Sequence, residues 1–336
     1  AAMPIFFPAG VALGADPAML AGAVLSGAIF GDNLAPVSDV TVISSVTQRF
    51  RDGTPADIAG VVRTRLPYAM TALAVSMPVY AFMGASRPVS EAALSGDASA
   101  LLMLGPVAVL IAVAVRTRDV LMAISAGAVT GTATGLLIGR LSFATIFAAV
   151  DGRLSGFLIS GISNVSPIIL LCVTLFAFTG IVREAGVPDM MAKALEAGSA
   201  GRPSALRTEL FLSAATLVVT TLFAAVTSAS VALVGSLTDD IGRASNVHPY
   251  RRSHILSGLA NSLPVLMPFS AFVLITMAAV SGLEGAAAVT PFTLMTAAFY
   301  PIALFLVFGF MVLTGTGRMM ETPEPEAAEA KTATAL

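Results

Sequence analysis

The chain has 336 residues, of which 56% are hydrophobic and 11% charged, with a formal net charge of -2. A mean hydropathy of +0.89 and a charge content far below the roughly 25% of soluble domains exclude a soluble globular protein, and the charge balance offers no basic surface for nucleic acid. One cysteine excludes a disulfide framework or a cysteine metal centre, and the absence of alternating apolar and polar runs argues against a β-barrel.

The opening residues, AAMPIFFPAGVALG, carry neither an initiator Met nor a charged n-region. They read as the middle of a helix, not as a signal peptide, so the chain is expected to start inside a membrane segment. Residues 18–30 and 40–46 are apolar and flank the polar interruption GDNLAPVSD at 31–39. The interruption holds Asp32 and Asp39, and carboxylates at membrane depth are costly enough to mark a functional site.

Residues 46–67, with Arg49, Arg51, Arg63 and Arg65, read as a cytoplasmic loop by the positive-inside rule. A helix is expected from Tyr68 to about Met83, then an external loop over 84–98, a helix over 100–115 and an internal turn at Arg116 and Arg118. Residues 120–139 are rich in Gly, Ala, Ser and Thr, which let membrane helices approach closely. A mixed stretch to Ser163 and a crossing over 165–182 lead to an internal segment, 183–207, with Arg183, Lys193, Arg202 and Arg207. Within it Pro188 opens a short amphipathic pattern suited to the membrane interface.

Residues 209–226 form a further helix, broken at Thr227, Ser228, Ala229 and Ser230; the next helix ends at Asp239 and Asp240 near the cytoplasmic surface. His248 sits in a polar segment with Arg251 and Arg252, and His254 lies just before Leu256-Ser257-Gly258. A second interruption, NSLPVLMPFS at 261–270, contains Pro264 and Pro268 but no carboxylate. The last span is 291–314, followed by an Ala/Glu/Pro-rich tail with a disordered composition.

Two segments superimpose. Pro17, Leu25-Ser26-Gly27 and Pro36-Val37-Ser38 correspond to Pro249, Leu256-Ser257-Gly258 and Pro268-Phe269-Ser270. The arginine assignments give the copies opposite orientations, and inverted repeats with broken helices point to a secondary transporter with its site near the bilayer midplane. Residues 18–48 as one straight helix would span about 46 Å, too long for a single crossing and too short for two. A break at Gly31 and Pro36 resolves this, because proline withdraws an N–H and frees a carbonyl.

Around the break stand Asp32, Asn33, Ser38, Asp39 and Thr41, all oxygen donors of the kind hard cations prefer. Asp32 and Asp39 are the expected Na⁺ ligands, with the coupling proton on Asp39. Thr227, Ser228, Ser230, Asn261 and Ser270 would form the second repeat's neutral side of the site. No cofactor is expected; the partners are the lipid bilayer, Na⁺ and H⁺ as transported ions, and a homodimer is compatible with the sequence.

The residues that carry this reading, SGAIFGDNLAPVSDVTVISS at 26–45, resemble the G-D-x-x-[SA]-P-x-S-D-T-T signature of NhaC-type Na⁺/H⁺ antiporters of the ion transporter superfamily. The resemblance implies two inverted repeats, broken or re-entrant helices, and Na⁺/H⁺ or related antiport. Asp32, Pro36, Ser38 and Asp39 match the pattern directly, Thr41 keeps its second threonine, and Val40 stands where the first would be.

The fold expected is an all-α polytopic membrane protein with about eight to ten membrane segments. Its parts are a first ion-site module (1–48), a helical bundle (49–182), a second module with the last helix (183–315) and a disordered cytoplasmic tail (316–336). The function expected is exchange of Na⁺ for H⁺ across the cell membrane, in a bacterium the inner membrane. The alternative is a Na⁺- or H⁺-coupled organic-anion exchanger of the same fold, for which no intramembrane arginine is evident to pair a carboxylate, though half-helix N-termini can do so. A membrane enzyme finds no H-E-x-x-H or G-x-S-x-G motif to support it.

Overall fold

A computed structural model describes residues 3–84 and 204–321 and, between them, 102, 104–117, 119–139, 141–146, 148–150, 153–156 and scattered helical positions to 186. The expected external loop at 84–98 and the amphipathic pattern from Pro188 lie essentially outside the described residues. The chain forms two compact units, one of residues 1–87 with 171–336 and one of residues 88–170.

The first unit holds α1 (Met3–Ala12), α2 (Pro17–Leu34), α3 (Asp39–Val46) and α4 (Ile58–Met83). In the smaller unit are α5 (Leu104–Thr117), α6 (Val120–Leu137), α7 (Phe143–Ile146) and a hairpin of β1 (Ala148–Val150) with β2 (Arg153–Ser155). The first unit resumes with α8 (Ala205–Leu222), α9 (Thr227–Ala244), α10 (Pro249–Ala260), α11 (Ala271–Val280), α12 (Pro291–Ala297) and α13 (Phe299–Thr314). The protein is an all-α membrane protein, the three-residue strands apart. Among the described residues three helical runs, Pro17–Val46, Ile58–Met83 and Ala205–Leu222, are long and apolar enough to cross a bilayer. Counting each bent pair as one span raises this to five. Shorter apolar helices occupy the smaller unit, where α5 packs on α6 and a Cβ at Gly127 would meet the Leu110 side chain.

The paired segments of the sequence are built alike. Pro17 and Pro249 each occupy the first helical position, where the missing N–H costs nothing. Asp16 caps α2 by accepting from the Met19 N–H at 2.9 Å, and His248 caps α10 by accepting from the Tyr250 N–H at 3.2 Å. Each helix then stops at a proline-containing break and resumes at a serine, Ser38 before α3 and Ser270 before α11. In the second copy a 3-10 turn, Leu263–Leu266, fills the break and the chain bends by 52°.

Three boundaries differ from the sequence reading. Helix α4 begins at Ile58, not Tyr68, because Asp57 caps it through the Gly60 N–H at 2.6 Å. The loop expected over 46–67 therefore shrinks, and Arg65 is a buried helical residue. Between α8 and α9 the break falls before Thr227, which is already helical; Ala224 and Ala225 make the turn with φ of 50° and 57°. Left-handed backbone at a non-glycine residue costs roughly 1–2 kcal/mol, and Ala271 N–H to the Ala224 carbonyl at 2.8 Å helps hold it. Gly31 lies inside α2 with its carbonyl accepting from Ala35 N–H at 2.8 Å, so the interruption itself is 35–38.

Buried arginines knit this unit together. Arg251 and Arg252, both 0% exposed, turn to different acids. Glu209 of α8 receives Arg251 through Nε at 2.9 Å and Nη2 at 3.1 Å, and Arg318 through Nε at 3.1 Å and Nη2 at 3.0 Å. Asp239 of α9 receives Arg252 Nη1 at 2.6 Å and the Arg49 N–H at 2.7 Å. Asp239 is thus an interior ion-pair partner and not a surface helix end. Residues expected in the free tail are also held: the His248 N–H donates to the Met319 carbonyl at 3.0 Å and the Glu321 N–H to the Asn246 carbonyl at 2.7 Å. The tail beyond residue 321 lies outside the described residues.

Close packing completes the framework. A Cβ at Gly22 would collide with the carbonyl of Ala297, and one at Gly258 with the Phe308 ring. At the 53° bend between α12 and α13, the Tyr80 hydroxyl lies 2.8 Å from the Phe299 N–H and 2.8 Å from the Ala297 carbonyl. It is also 3.1 Å from the Gly22 carbonyl and 2.7 Å from Ser26 Oγ.

Candidate functional site

Pro36 cannot supply the N–H that the Asp32 carbonyl would accept in a continuous helix. Instead, Thr41 Oγ1 donates to that carbonyl at 3.4 Å. The next carbonyl, of Asn33, is taken by Arg65 Nη1 at 2.8 Å. The Asp32 and Asn33 carbonyls freed at the break are therefore satisfied from within the chain, as backbone at membrane depth requires.

The two carboxylates are differently placed. Asp32 accepts from Ser38 Oγ at 2.7 Å through Oδ1, while its Oδ2 is buried and has no hydrogen-bond partner among the described residues. Asn261, the first residue of the second break, is fully buried, and its amide faces the Asp32 carboxylate without a bond of ordinary geometry. Buried polar atoms are nearly always paired. At the junction of two broken helices a buried aspartate oxygen and a carboxamide oxygen thus stand close together, donor types that a hard cation prefers. Asp39 opens α3 on an exposed face, its Oδ1 accepting from the Val40 N–H at 2.9 Å.

The other expected residues divide. Asn33 and Thr41 are buried and committed: Asn33 Nδ2 donates to the Tyr300 hydroxyl at 3.2 Å, its Oδ1 accepts from Ser257 at 3.4 Å, and the Thr41 carbonyl accepts from Ser45 Oγ at 2.8 Å. Ser230 donates to the Val226 carbonyl at 2.7 Å, the back-bonding expected of a helical serine. Ser270 caps α11 through the Val273 N–H at 3.1 Å. Thr227 is buried in the first turn of α9 and Ser228 half-buried next to it. Pro264 opens the 3-10 turn and Pro268 follows it. Gly31 and Pro36 are exposed.

Arg65 is the residue the sequence reading missed. Its guanidinium reaches both repeats: Nη1 donates to Ser257 Oγ of α10 at 2.7 Å as well as to Asn33, and Nη2 to Ser253 Oγ at 3.3 Å. Val61, Arg65, Ala69, Ala72 and Ser76 form the buried face of α4. That spacing of three and four residues, begun by an Asp57 cap, is the signal that places Arg65 on a helix.

Residues 1–85 match the Na⁺/H⁺ antiporter family. Over 208 residues the chain is 27% identical to the Na(+)/H(+) antiporter NhaC of Alkalihalophilus pseudofirmus, an alignment that covers 55% of this chain and 43% of that relative. No solved structure matches the chain. The chain spans less than half the length of the NhaC relative it matches. Asp32, Ser38, Asp39 and Arg65 fall inside the region matched to the antiporter family, and Asn261 outside it.

Proposed function

We propose that this chain forms part of a secondary active antiporter that exchanges Na⁺ for H⁺ across the cell membrane, both cations competing for Asp32. The observation that carries the proposal is the buried Oδ2 of Asp32, which no bond of ordinary geometry satisfies, at a carboxylate faced by the buried amide of Asn261. The antiporter family match over residues 1–85 supports the same reading. A carboxylate that holds either a proton or Na⁺, and not both, couples the two fluxes without a further device. Asp39, exposed at the start of α3, serves as a second carboxylate at the entrance, so the coupling proton moves from Asp39 in the sequence reading to Asp32 here.

Everted vesicles from cells expressing the full gene product test this. Asp32→Asn abolishes Na⁺-dependent proton movement, whereas Asp39→Asn lowers its rate. Retained exchange in Asp32→Asn overturns the proposal.

Buried Arg65 revives the organic-anion alternative, which the sequence reading disfavoured for want of an intramembrane arginine. Both Nη atoms of Arg65 are nevertheless engaged by protein oxygens, which favours the cation reading. Na⁺-coupled uptake of a carboxylic acid is the result that would reverse this choice.

A further inference from the structure

We propose that Arg65 is a resident cation of the exchange site, a positioning residue that ties the first helix break to α10 and whose charge sets how tightly the site holds Na⁺. This rests on the Asp32 reading above. Arg65 is 0% exposed, yet no carboxylate lies within salt-bridge distance of it among the described residues. In this it differs from Arg251 and Arg252, each of which has its own buried acid. A buried charge without a direct counter-ion is costly, so its retention at the junction of both repeats calls for a role.

The geometry supplies that role. On the first repeat Arg65 grips the Asn33 carbonyl at 2.8 Å, Thr41 Oγ1 at 3.4 Å and Ser44 Oγ at 3.4 Å. On the second it grips Ser257 Oγ at 2.7 Å and Ser253 Oγ at 3.3 Å. These groups sit immediately beside Asp32: Asn33 follows it, and Thr41 holds its carbonyl. The guanidinium occupies the Asn33 carbonyl that the first break leaves free, and four helical hydroxyls that a metal ion would otherwise collect. It also acts on Asp32 through space as a fixed positive charge. A transported cation at Asp32 must therefore bind against a standing positive charge, which keeps the ion exchangeable instead of trapped.

The test is Na⁺ half-saturation and maximal rate of exchange in proteoliposomes of the full gene product, at alkaline pH where proton competition is least. Arg65→Gln removes the charge and is expected to lower the half-saturating Na⁺ concentration about tenfold, a modest part of what one unit charge exerts in a partly desolvated site. Its maximal rate falls as well. Arg65→Lys keeps the charge and is expected to hold half-saturation within about twofold while losing rate, because an ammonium cannot span the same groups. Ser44→Asp, which leaves Arg65 in place and neutralises it, is expected to tighten Na⁺ binding as Arg65→Gln does and decides the matter if Arg65→Gln does not accumulate.

Unchanged half-saturation in Arg65→Gln or Ser44→Asp, or an equal shift in Arg65→Lys, overturns the inference. Asp32→Asn measured alongside separates the failures. Lost exchange there with unchanged half-saturation in Arg65→Gln removes the role of Arg65 alone. Retained exchange removes the Asp32 reading and this inference with it.

Discussion

Ser38 donates its hydroxyl to Asp32 Oδ1 at 2.7 Å and makes no capping bond to α3, whereas its counterpart Ser270 caps α11 through the Val273 N–H at 3.1 Å. One serine position thus serves the carboxylate in the first repeat and the helix in the second. Ser38→Ala is expected to change Na⁺ half-saturation several-fold with little loss of stability. Ser270→Ala is expected to cost about 1 kcal/mol, the usual worth of an N-cap, and to leave half-saturation alone. Vesicle exchange and thermal melting of the purified variants read both effects; a reversed pattern refutes the division of roles.

Glu209 lies between Arg251 and Arg318 with bidentate contacts to each, its side chain fully buried. Removing one member of a buried ionic group leaves the others uncompensated, at roughly 3–5 kcal/mol. Glu209→Gln is expected to lower the melting temperature strongly. Arg318→Ala is expected to do so less, since Arg318 is partly exposed and Arg251 still balances the glutamate. Equal losses in a melting experiment would show that Arg251 alone does not balance the glutamate.

His248 has its pKa pushed below the ordinary imidazole value by burial; Glu321 opposes this and Arg252 reinforces it. Its Nδ1 must be unprotonated to accept the Tyr250 N–H. Because the folded state takes up the proton less readily than the unfolded chain, this contribution to stability is complete above about pH 6.5 and declines as pH falls below it. His248→Asn keeps a capping acceptor without a titrating group, so its melting temperature should vary less than that of the parent between pH 7.5 and pH 5. Parallel curves would count against the cap as the cause.

Two glycines in α2 separate packing from backbone freedom. Gly22→Ala sets a methyl against the Ala297 carbonyl and is expected to cost about 1–3 kcal/mol. Gly31→Ala meets open space within a regular helix and is expected to be neutral in stability. Melting of both variants tests this, and a large loss at Gly31 would restore it as the break-making residue.

Much of the first repeat was legible because its signals are local. A proline, two aspartates and a serine inside an apolar run announce a break wherever they occur, and a proline after an Asp or His announces a helix start. The arginines misled for the opposite reason. Arg65 was read as a loop marker and Arg251 and Arg252 only as part of a polar segment, since their partners lie on other helices: Asn33 and Ser257 for the first, Glu209 and Asp239 for the others. Nothing near Ala224 and Ala225 advertises left-handed backbone, which glycine ordinarily supplies, so that break was read a few residues late. The tail to Glu321 was misjudged on composition alone, although its Arg318 closes the Glu209 group.

The Tyr80 hydroxyl at the α12–α13 bend has more neighbours than it can serve. A phenol carries one proton, and the carbonyls of Gly22 and Ala297 both stand within reach of it, at 3.1 Å and 2.8 Å. Only one of them can receive that proton at a time. Turning the O–H from one to the other exchanges near-equivalent bonds, so the seam between α2 and the bend behaves as a bearing. A slight slide of one helix past the other is met by rotating a single hydrogen about its C–O axis.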